Sequence, residues 1–440
     1  MPKSYLANEP ACMRAVLTKF DPYKQTKARL NSLEITGHNT EKIELIVLGG
    51  TWSYYPKKYQ EWFLKRCFQA CNSNPKSQIL NPKQTLKQAQ KINEKTKHRI
   101  IGLTLETRPD YINEKEIQRL RWLGATRIEL GVQSIYEDIL KQNNRGHNLE
   151  KTIYATKLLK NAGFKITYHI MPGLPGSNLK KDKKMFKELF SNPNFQPDQL
   201  KIYPCIVLKN APLYKLWKNK KYKPYTKEQL LNLLIKIKKI IPPYVRIIRI
   251  IRDIPAQSIV AGNKTSNLRQ LLEQKKVKCN CIRCREIKSQ KSKIKNVKLI
   301  RREYSASGGK EIFLSFEDIE NNKLLAFLRL RITNEWTLPV LKNSAMIREL
   351  HTYGQVVKIS EKNKNAQQHQ SLGKQLMIKA EKIAKNEFKF HPVKSRETGS
   401  PEAKFNRVKK IAVIAGIGVR EYYRKLGYRL KSDYMIKKII

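Results

Sequence analysis

Residues 43–51 read Ile-Glu-Leu-Ile-Val-Leu-Gly-Gly-Thr, and residues 411–428 read Ile-Ala-Val-Ile-Ala-Gly-Ile-Gly-Val-Arg-Glu-Tyr-Tyr-Arg-Lys-Leu-Gly-Tyr. Each opens on a near-continuous apolar run that stops at glycine. Short runs of this kind are strands covered on both faces, not half-exposed surface strands. After the first run comes a Gly49-Gly50 turn; after the second, a helix carrying Tyr422 and Tyr423 about a turn in.

Outward from residue 43, further β-rich runs recur at Ile100–Leu105, Arg127–Val132, Lys165–Ile170, Gln199–Ile206 and Val245–Ile251. Between them lie helix-like stretches such as Pro56–Ala70, Lys83–Thr96, Glu114–Leu123 and Leu149–Ala162. Strands alternating with helical crossovers predict an α/β fold with a parallel sheet, a barrel or partial barrel. Working residues in such folds sit at the C-terminal strand ends. Here those ends carry Gly49-Gly50-Thr51, Glu106, Gln133 and the segment Met171–Gly176. From about residue 299 the order becomes strands first (Ile312–Phe316, Lys323–Arg331, Ala345–Thr352). A long helix (Gly373–Asn386), a strand (Lys410–Ala415), a helix and a last strand follow, which predicts an α+β domain. The expected division is a barrel over 1–261, a basic linker over 262–298 and the α+β domain over 299–440. Residues 388–408 read as a mobile surface loop.

The chain of 440 residues carries 89 Lys+Arg against 36 Asp+Glu, a formal charge of +53. That balance favours a polyanionic partner. Part of the Lys excess accompanies much Ile and Asn, as an AT-rich genome would give. No run of about 18 apolar residues exists, so no membrane span is expected. The first residues show no signal peptide, which points to the cytoplasm. Of seven cysteines, three crowd into 279–284. Cys279-x-Cys281-x-x-Cys284 suits a tetrahedral metal such as zinc; the plainer alternative is three free surface thiols. Cys67 and Cys71 fall on a helix and read as buried or incidental thiols.

Residues 368–373, Gln368-His369-Gln370-Ser371-Leu372-Gly373, precede the long helix. They resemble the pyrophosphate turn of the GNAT acyl-CoA transferases, with Ser371 where that pattern has glycine. Backbone N–H groups at a helix start can cradle such a group. A serine is strained there if the position needs positive φ. In the GNAT pattern a tyrosine at 422–423 protonates the departing thiolate. Neighbouring helix positions face different ways, so one of the pair serves, and the pattern favours Tyr423 over Tyr422. Leu426-Gly427-Tyr428 is similar to the GNAT ending.

The first half resembles a radical S-adenosylmethionine (SAM) barrel, whose Gly-Gly turn meets the SAM amino group. Both halves together resemble the Elongator catalytic subunits. The segments that carry this are Asn8-Glu9-Pro10, Phe20-Asp21-Pro22-Tyr23, Gly37-His38, Leu105–Asp110, Gly131–Ser134, Arg145-Gly146-His147, Arg252–Pro255, Asn267-Leu268-Arg269 and Arg348–His351, in the family's order over residues 4–437. The resemblance implies carboxymethyl-group formation on the wobble uridine of tRNA from acetyl-CoA, with SAM cleaved to a radical. It implies SAM binding at Gly49, Gly50, Thr51, Glu106 and Gln133. It implies acetyl-CoA binding at Lys42, Glu349, Leu350, His351, Thr352, 368–373 and Tyr423. It leaves room for a homodimer or other Elongator subunits as partners, with no membrane. The chain departs from the family in lacking the first strand and the cysteines of the 4Fe-4S cluster, so as written it should not reduce SAM. It would be a shortened form or a natural degenerate one. Two rivals are a protein lysine acetyltransferase and a tRNA-binding scaffold without chemistry.

Overall fold

A computed structural model describes residues 5–73, 83–287, 294–354, 367–387 and 408–439. The first half contains strands β1 (Lys42–Ile46), β2 (Arg99–Thr107), β3 (Arg127–Gln133), β4 (Lys165–Ile170) and β5 (Gln199–Ile202). The short β6 (Val207–Leu208), β7 (Arg246–Arg249) and the short β8 (Ile259–Ala261) follow. Six of them form one sheet in the order β1-β2-β3-β4-β5-β7. Every pairing in it is parallel, so the sheet is a half-barrel with β1 and β7 at its edges.

The crossover helices include Lys57–Asn72, Glu114–Trp122, Leu149–Asn161, Leu179–Ser191 and Lys227–Ile240. Local chemistry fixes where several begin. Asn113, Asn148, Asn178 and Thr226 each accept the backbone N–H three residues on, satisfying a donor that the helix leaves free. Alternate strand residues then divide between two faces. Ile128, Leu130, Val132, Ile166, Tyr168 and Ile170 enter the core beneath the helices. Arg127, Glu129 and Gln133, with Lys165, Thr167 and His169, occupy the alternate positions.

The second half contains β9 (Val297–Ala306), β10 (Gly309–Asp318), β11 (Lys323–Thr333), β12 (Ser344–Thr352), β13 (Lys410–Val413), β14 (Arg429–Lys431) and β15 (Tyr434–Lys438). Their order is β14-β15-β13-β12-β11-β10-β9, antiparallel except for β12 against β13. The helix Gln367–Asn386 connects that parallel pair and covers the sheet with Leu376, Met377, Ala380 and Ile383. It starts six residues before Gly373, where the sequence suggested a turn. Ser371 therefore has right-handed helical backbone, and the strain expected from a positive φ does not arise. The side chains of Gln368, His369, Gln370 and Ser371, and the loop expected over 388–408 apart from Val408, lie outside the described residues.

The two halves share a core. Phe313, Phe327, Met346, Ile414, Ile417 and Tyr434 pack in the same cluster as the half-barrel residues. Gly416 lies so close to β2 that a Cβ would fall 1.9 Å from the Ile101 carbonyl oxygen, and one on Gly418 2.5 Å from the Arg99 Cβ. Residues 262–298, expected as a linker, pack tightly in part. Leu268, Leu272, Cys281 and Ile282 are buried, and the Ile282 N–H donates to Val245 O at 2.9 Å.

Candidate functional site

At the C-terminal end of the half-barrel, Gly49 (φ 155) and Gly50 (φ 89) turn the chain away from β1 through backbone that side chains disfavour. The Tyr55 hydroxyl donates to Gly49 O at 3.3 Å, and Thr107 at the end of β2 donates to Ser53 Oγ at 3.0 Å. Gln133 closes β3 with φ 68, a strained value for a non-glycine residue. The five residues expected to hold SAM thus lie at strand ends or in the turn beyond one, on the same end of one sheet.

Sequence reading missed the charged group among them. His169 Nε2 lies 2.8 Å from Glu129 Oε2, and Lys201 Nζ donates to the same oxygen. His169 Nδ1 is 3.6 Å from Glu106 Oε1, and the Tyr5 hydroxyl donates to Glu106 Oε2 at 2.8 Å. Burial pushes the Glu129 carboxyl up, but His169 and Lys201 overcome it and hold it down at about 2. Glu129 Oε1 is buried without a partner among the described residues, so the group has capacity for one more donor. The available signal was one ionisable residue on each of three strands, on the face opposite the apolar one: Glu129, His169 and Lys201.

The acetyltransferase-like half meets the opposite, N-terminal strand ends. β12 pairs with β13 only from Ser344 to Ile347, while its far end, Glu349 to Thr352, follows β11. The pairing of the two strands therefore ends before Glu349–Thr352. Glu349 accepts from Arg329 Nε at 2.8 Å and lies 4.0 Å from Lys165 Nζ. Burial pushes the Glu349 carboxyl up, yet Lys165 and Arg329 bring its pKa below the ordinary value. Burial keeps His351 below its ordinary value, and its ring lies 4.4 Å from that of Tyr353. Lys42 pairs in register with Arg99, the residue that Gly418 abuts, so it too lies at the junction. Desolvation lowers its ammonium pKa.

Thr352 and Tyr422 converge on Gly373. A Cβ on Gly373 would lie 3.5 Å from Thr352 Cγ2 and 3.7 Å from the Tyr422 hydroxyl. Leu350 and Leu372 pack into the core of this half. Tyr423, the residue favoured from sequence, is 6% exposed and packs in that core, while Tyr422 is 39% exposed. The structure therefore turns Tyr422 outward and Tyr423 inward.

Between the halves lies a buried charge network. Arg348 Nη1 reaches Asp198 Oδ1 at 3.0 Å and Glu311 Oε2 at 2.9 Å, and its Nη2 reaches Asp198 Oδ2 at 2.5 Å. Arg331 donates to Glu311 at 3.0 Å, and Lys160 Nζ lies 3.8 Å from Asp198. Positive charge from Arg348, Lys160 and Arg329 overcomes burial and holds the Asp198 carboxyl far below its ordinary value.

Cys279, Cys281 and Cys284 bring their sulfurs within 4.8 Å of one another. Zinc–thiolate bonds near 2.3 Å at tetrahedral angles place sulfurs about 3.8 Å apart, so the trio fits such an ion with little movement. The other two thiols donate to Cys281 and favour its thiolate. Cys279 and Cys281 are buried, not the surface thiols of the plainer alternative. Among the described residues this is the one group of three cysteines suited to a metal. Cys67 and Cys71 are buried in the helix Lys57–Asn72, and burial pushes the Cys67 thiol up to about 12, which suits a packed thiol and not a ligand. No helix among the described residues is long and apolar enough to cross a membrane.

Comparison with known proteins covers both halves. Residues 21–189 match the radical SAM superfamily model, and residues 197–277 match the radical SAM C-terminal domain model. The chain is 48% identical over 451 residues to a tRNA uridine(34) acetyltransferase of Methanocaldococcus infernus, covering 100% of this chain and 80% of that protein. It is 38% identical over 447 residues to human (Homo sapiens) Elongator complex protein 3, covering 99% and 77%. A solved structure of the archaeal Methanocaldococcus infernus Elp3 with an N-terminal deletion (1–46) superposes with a TM-score of 0.84 at 46% identity, covering 96% of each chain.

Proposed function

The chain belongs to the family of the tRNA uridine(34) acetyltransferases and Elongator complex protein 3, and we propose that it uses acetyl-CoA to modify the wobble uridine of tRNA toward carboxymethyl-uridine. It is an acyltransferase with a radical SAM domain. The observation that carries the proposal is the end-to-end likeness to tRNA uridine(34) acetyltransferases, which spans both halves at 48% identity.

In this reading, acetyl-CoA lies where the pairing of β12 and β13 ends, with its pantetheine beside Thr352 and Gly373 and its acetyl group toward Lys42 and His351. Tyr422 is the better placed general acid. When water adds to the thioester carbonyl and the carbon–sulfur bond breaks, its hydroxyl protonates the leaving thiolate. The Tyr422 hydroxyl lies close enough to Gly373 that a Cβ there would meet it at 3.7 Å, whereas Tyr423 is held by packing. SAM binds at Gly49, Gly50, Thr51, Glu106 and Gln133, where it would supply radical chemistry in the loaded enzyme. Glu129, His169 and Lys201 set the charge of that site. Zinc at Cys279, Cys281 and Cys284 fixes the segment between the halves. None of the seven cysteines is in a disulfide, which suits a cytoplasmic protein.

The test is release of free CoA from acetyl-CoA by the purified protein with and without tRNA bearing a wobble uridine. Release that depends on that tRNA supports the proposal. Acetylation of peptides without tRNA would favour a lysine acetyltransferase, and tRNA binding without any CoA release would favour a scaffold.

A further inference from the structure

Immediately after the Gly49-Gly50 turn, the chain lays down a run of aromatic rings. Tyr55 and Tyr59 have ring centroids 5.3 Å apart, and Tyr59 and Trp62 5.6 Å apart, at interplanar angles of 38° and 36°. Trp52 anchors them from below, 6.3 Å from Tyr55 and itself 3% exposed. The outer rings are open to solvent: Tyr54 is 67% exposed, Trp62 40% and Tyr59 37%. Exposing large rings side by side is costly in water unless something covers them.

The segment is held in place. Gln60 Nε2 donates to the carbonyls of Trp52 at 3.2 Å and Tyr55 at 2.9 Å. Arg119 donates to Lys57 O at 2.7 Å and to Gln60 Oε1 at 3.1 Å. The rings therefore present a surface whose ordering is complete before a ligand arrives. The surroundings are basic. Lys57 and Lys58 are exposed beside the rings, and the first turn of their helix carries no acidic residue. Exposed rings flanked by lysines match the chemistry of unpaired nucleotides: bases that stack and phosphates that are neutralised.

We propose that Tyr59 and Trp62 form a stacking platform for unpaired bases of the anticodon loop, at the rim of the half-barrel mouth. The platform rests on the proposed function, because it presumes a tRNA whose loop is brought to this mouth. Its place follows from the fold. Strand β1 ends at the mouth, and the hydrogen bond from Tyr55 to Gly49 O ties the rings to the turn there.

The test compares the unaltered protein with Trp62→Ala and Trp62→Phe variants, using a wobble-uridine tRNA, its anticodon stem-loop and the same stem closed without the loop. The substituted side chains are exposed, so folding should be kept. Trp62→Ala should weaken the stem-loop about tenfold, a typical loss for one stacked base, and Trp62→Phe by much less. The slope of log affinity against log salt should be unchanged in these neutral substitutions, whereas Lys57→Ala/Lys58→Ala should flatten it. The closed stem should bind all variants alike. Equal stem-loop binding by Trp62→Ala and the unaltered protein overturns the platform alone. Self-association of the unaltered protein that is lost in Trp62→Ala, with RNA binding intact, also overturns it and assigns the face to a second copy. Failure of the unaltered protein to bind tRNA at all overturns the proposed function and the platform with it.

Discussion

Replacing Arg348 with methionine tests whether the buried charge network joins the two halves. The Arg348 guanidinium is fully buried and bridges Asp198 of the half-barrel to Glu311 of the second domain. It also donates to Phe164 O at 2.6 Å. Methionine fills much of the volume but removes the charge and these hydrogen bonds. Asp198 keeps Lys160 at 3.8 Å, Arg329 at 3.6 Å and the Ile166 N–H at 2.9 Å, so it is weakened and not abandoned. Removing one partner of a buried pair costs about 3–5 kcal/mol. An unfolding entropy of about 2.1 cal/mol/K per residue over 440 residues converts that loss to a Tm lowered by about 3–5 °C. The assay is thermal unfolding followed by calorimetry, paired with acetyl-CoA binding, because Arg348 immediately precedes the Glu349–Thr352 edge. A double variant with Asp198→Asn should lose less than the two single losses added, since the residues share one interaction. Unchanged Tm and full additivity would refute the reasoning, leaving the junction held by the shared apolar core alone.

Tyr422→Phe should lower CoA release about a hundredfold with little change in CoA binding, and Tyr423→Phe should leave the rate near normal; steady-state rates of both variants check this, and the opposite ranking would contradict the placement. Cys281→Ser should lose about one equivalent of zinc on metal analysis, whereas an unaltered protein that is folded and free of metal would contradict the site. The Glu129 carboxyl, held down at about 2 from an ordinary 4.5, adds stability that is complete above about pH 5. The native state resists taking up that proton, so the contribution is lost as pH falls from about 4.5 toward 2. Acid unfolding of Glu129→Gln should therefore show a shallower dependence over that range, and an identical profile would contradict it.

The parallel strands of the half-barrel were legible because short apolar runs alternate with helical stretches, but β1, at the sheet edge, is half exposed and not covered on both faces as its sequence suggested. The same reading hid the charges at the mouth. Glu129, His169 and Lys201 lie on three different strands, and only the sheet order brings them together. Strand β9 escaped notice because Lys298, Arg301, Arg302 and Glu303 make it polar, as suits an edge strand exposed along much of its length. Gly373 read as the end of a turn, yet helix precedes it by six residues; glycine identity alone does not separate a turn from a place of close approach. The outward position of Tyr422 was not legible either. Adjacent helix residues differ by about 100° in direction, and which of them faces inward depends on packing against neighbours such as Tyr428, 6.0 Å from Tyr423 between ring centroids. The buried arginines at 329, 331 and 348 gave no sequence signal of their own, because their carboxylate partners lie far away in the chain.

The most direct test of the account is the rate of CoA release from acetyl-CoA by the full chain, measured with no RNA, with a tRNA carrying uridine at the wobble position and with the same tRNA carrying another base there. The account predicts slow release alone, strong acceleration by the wobble-uridine tRNA and loss of that acceleration in Tyr422→Phe. Release that is indifferent to tRNA, or transfer of the acetyl group to peptide lysines in its absence, would contradict it.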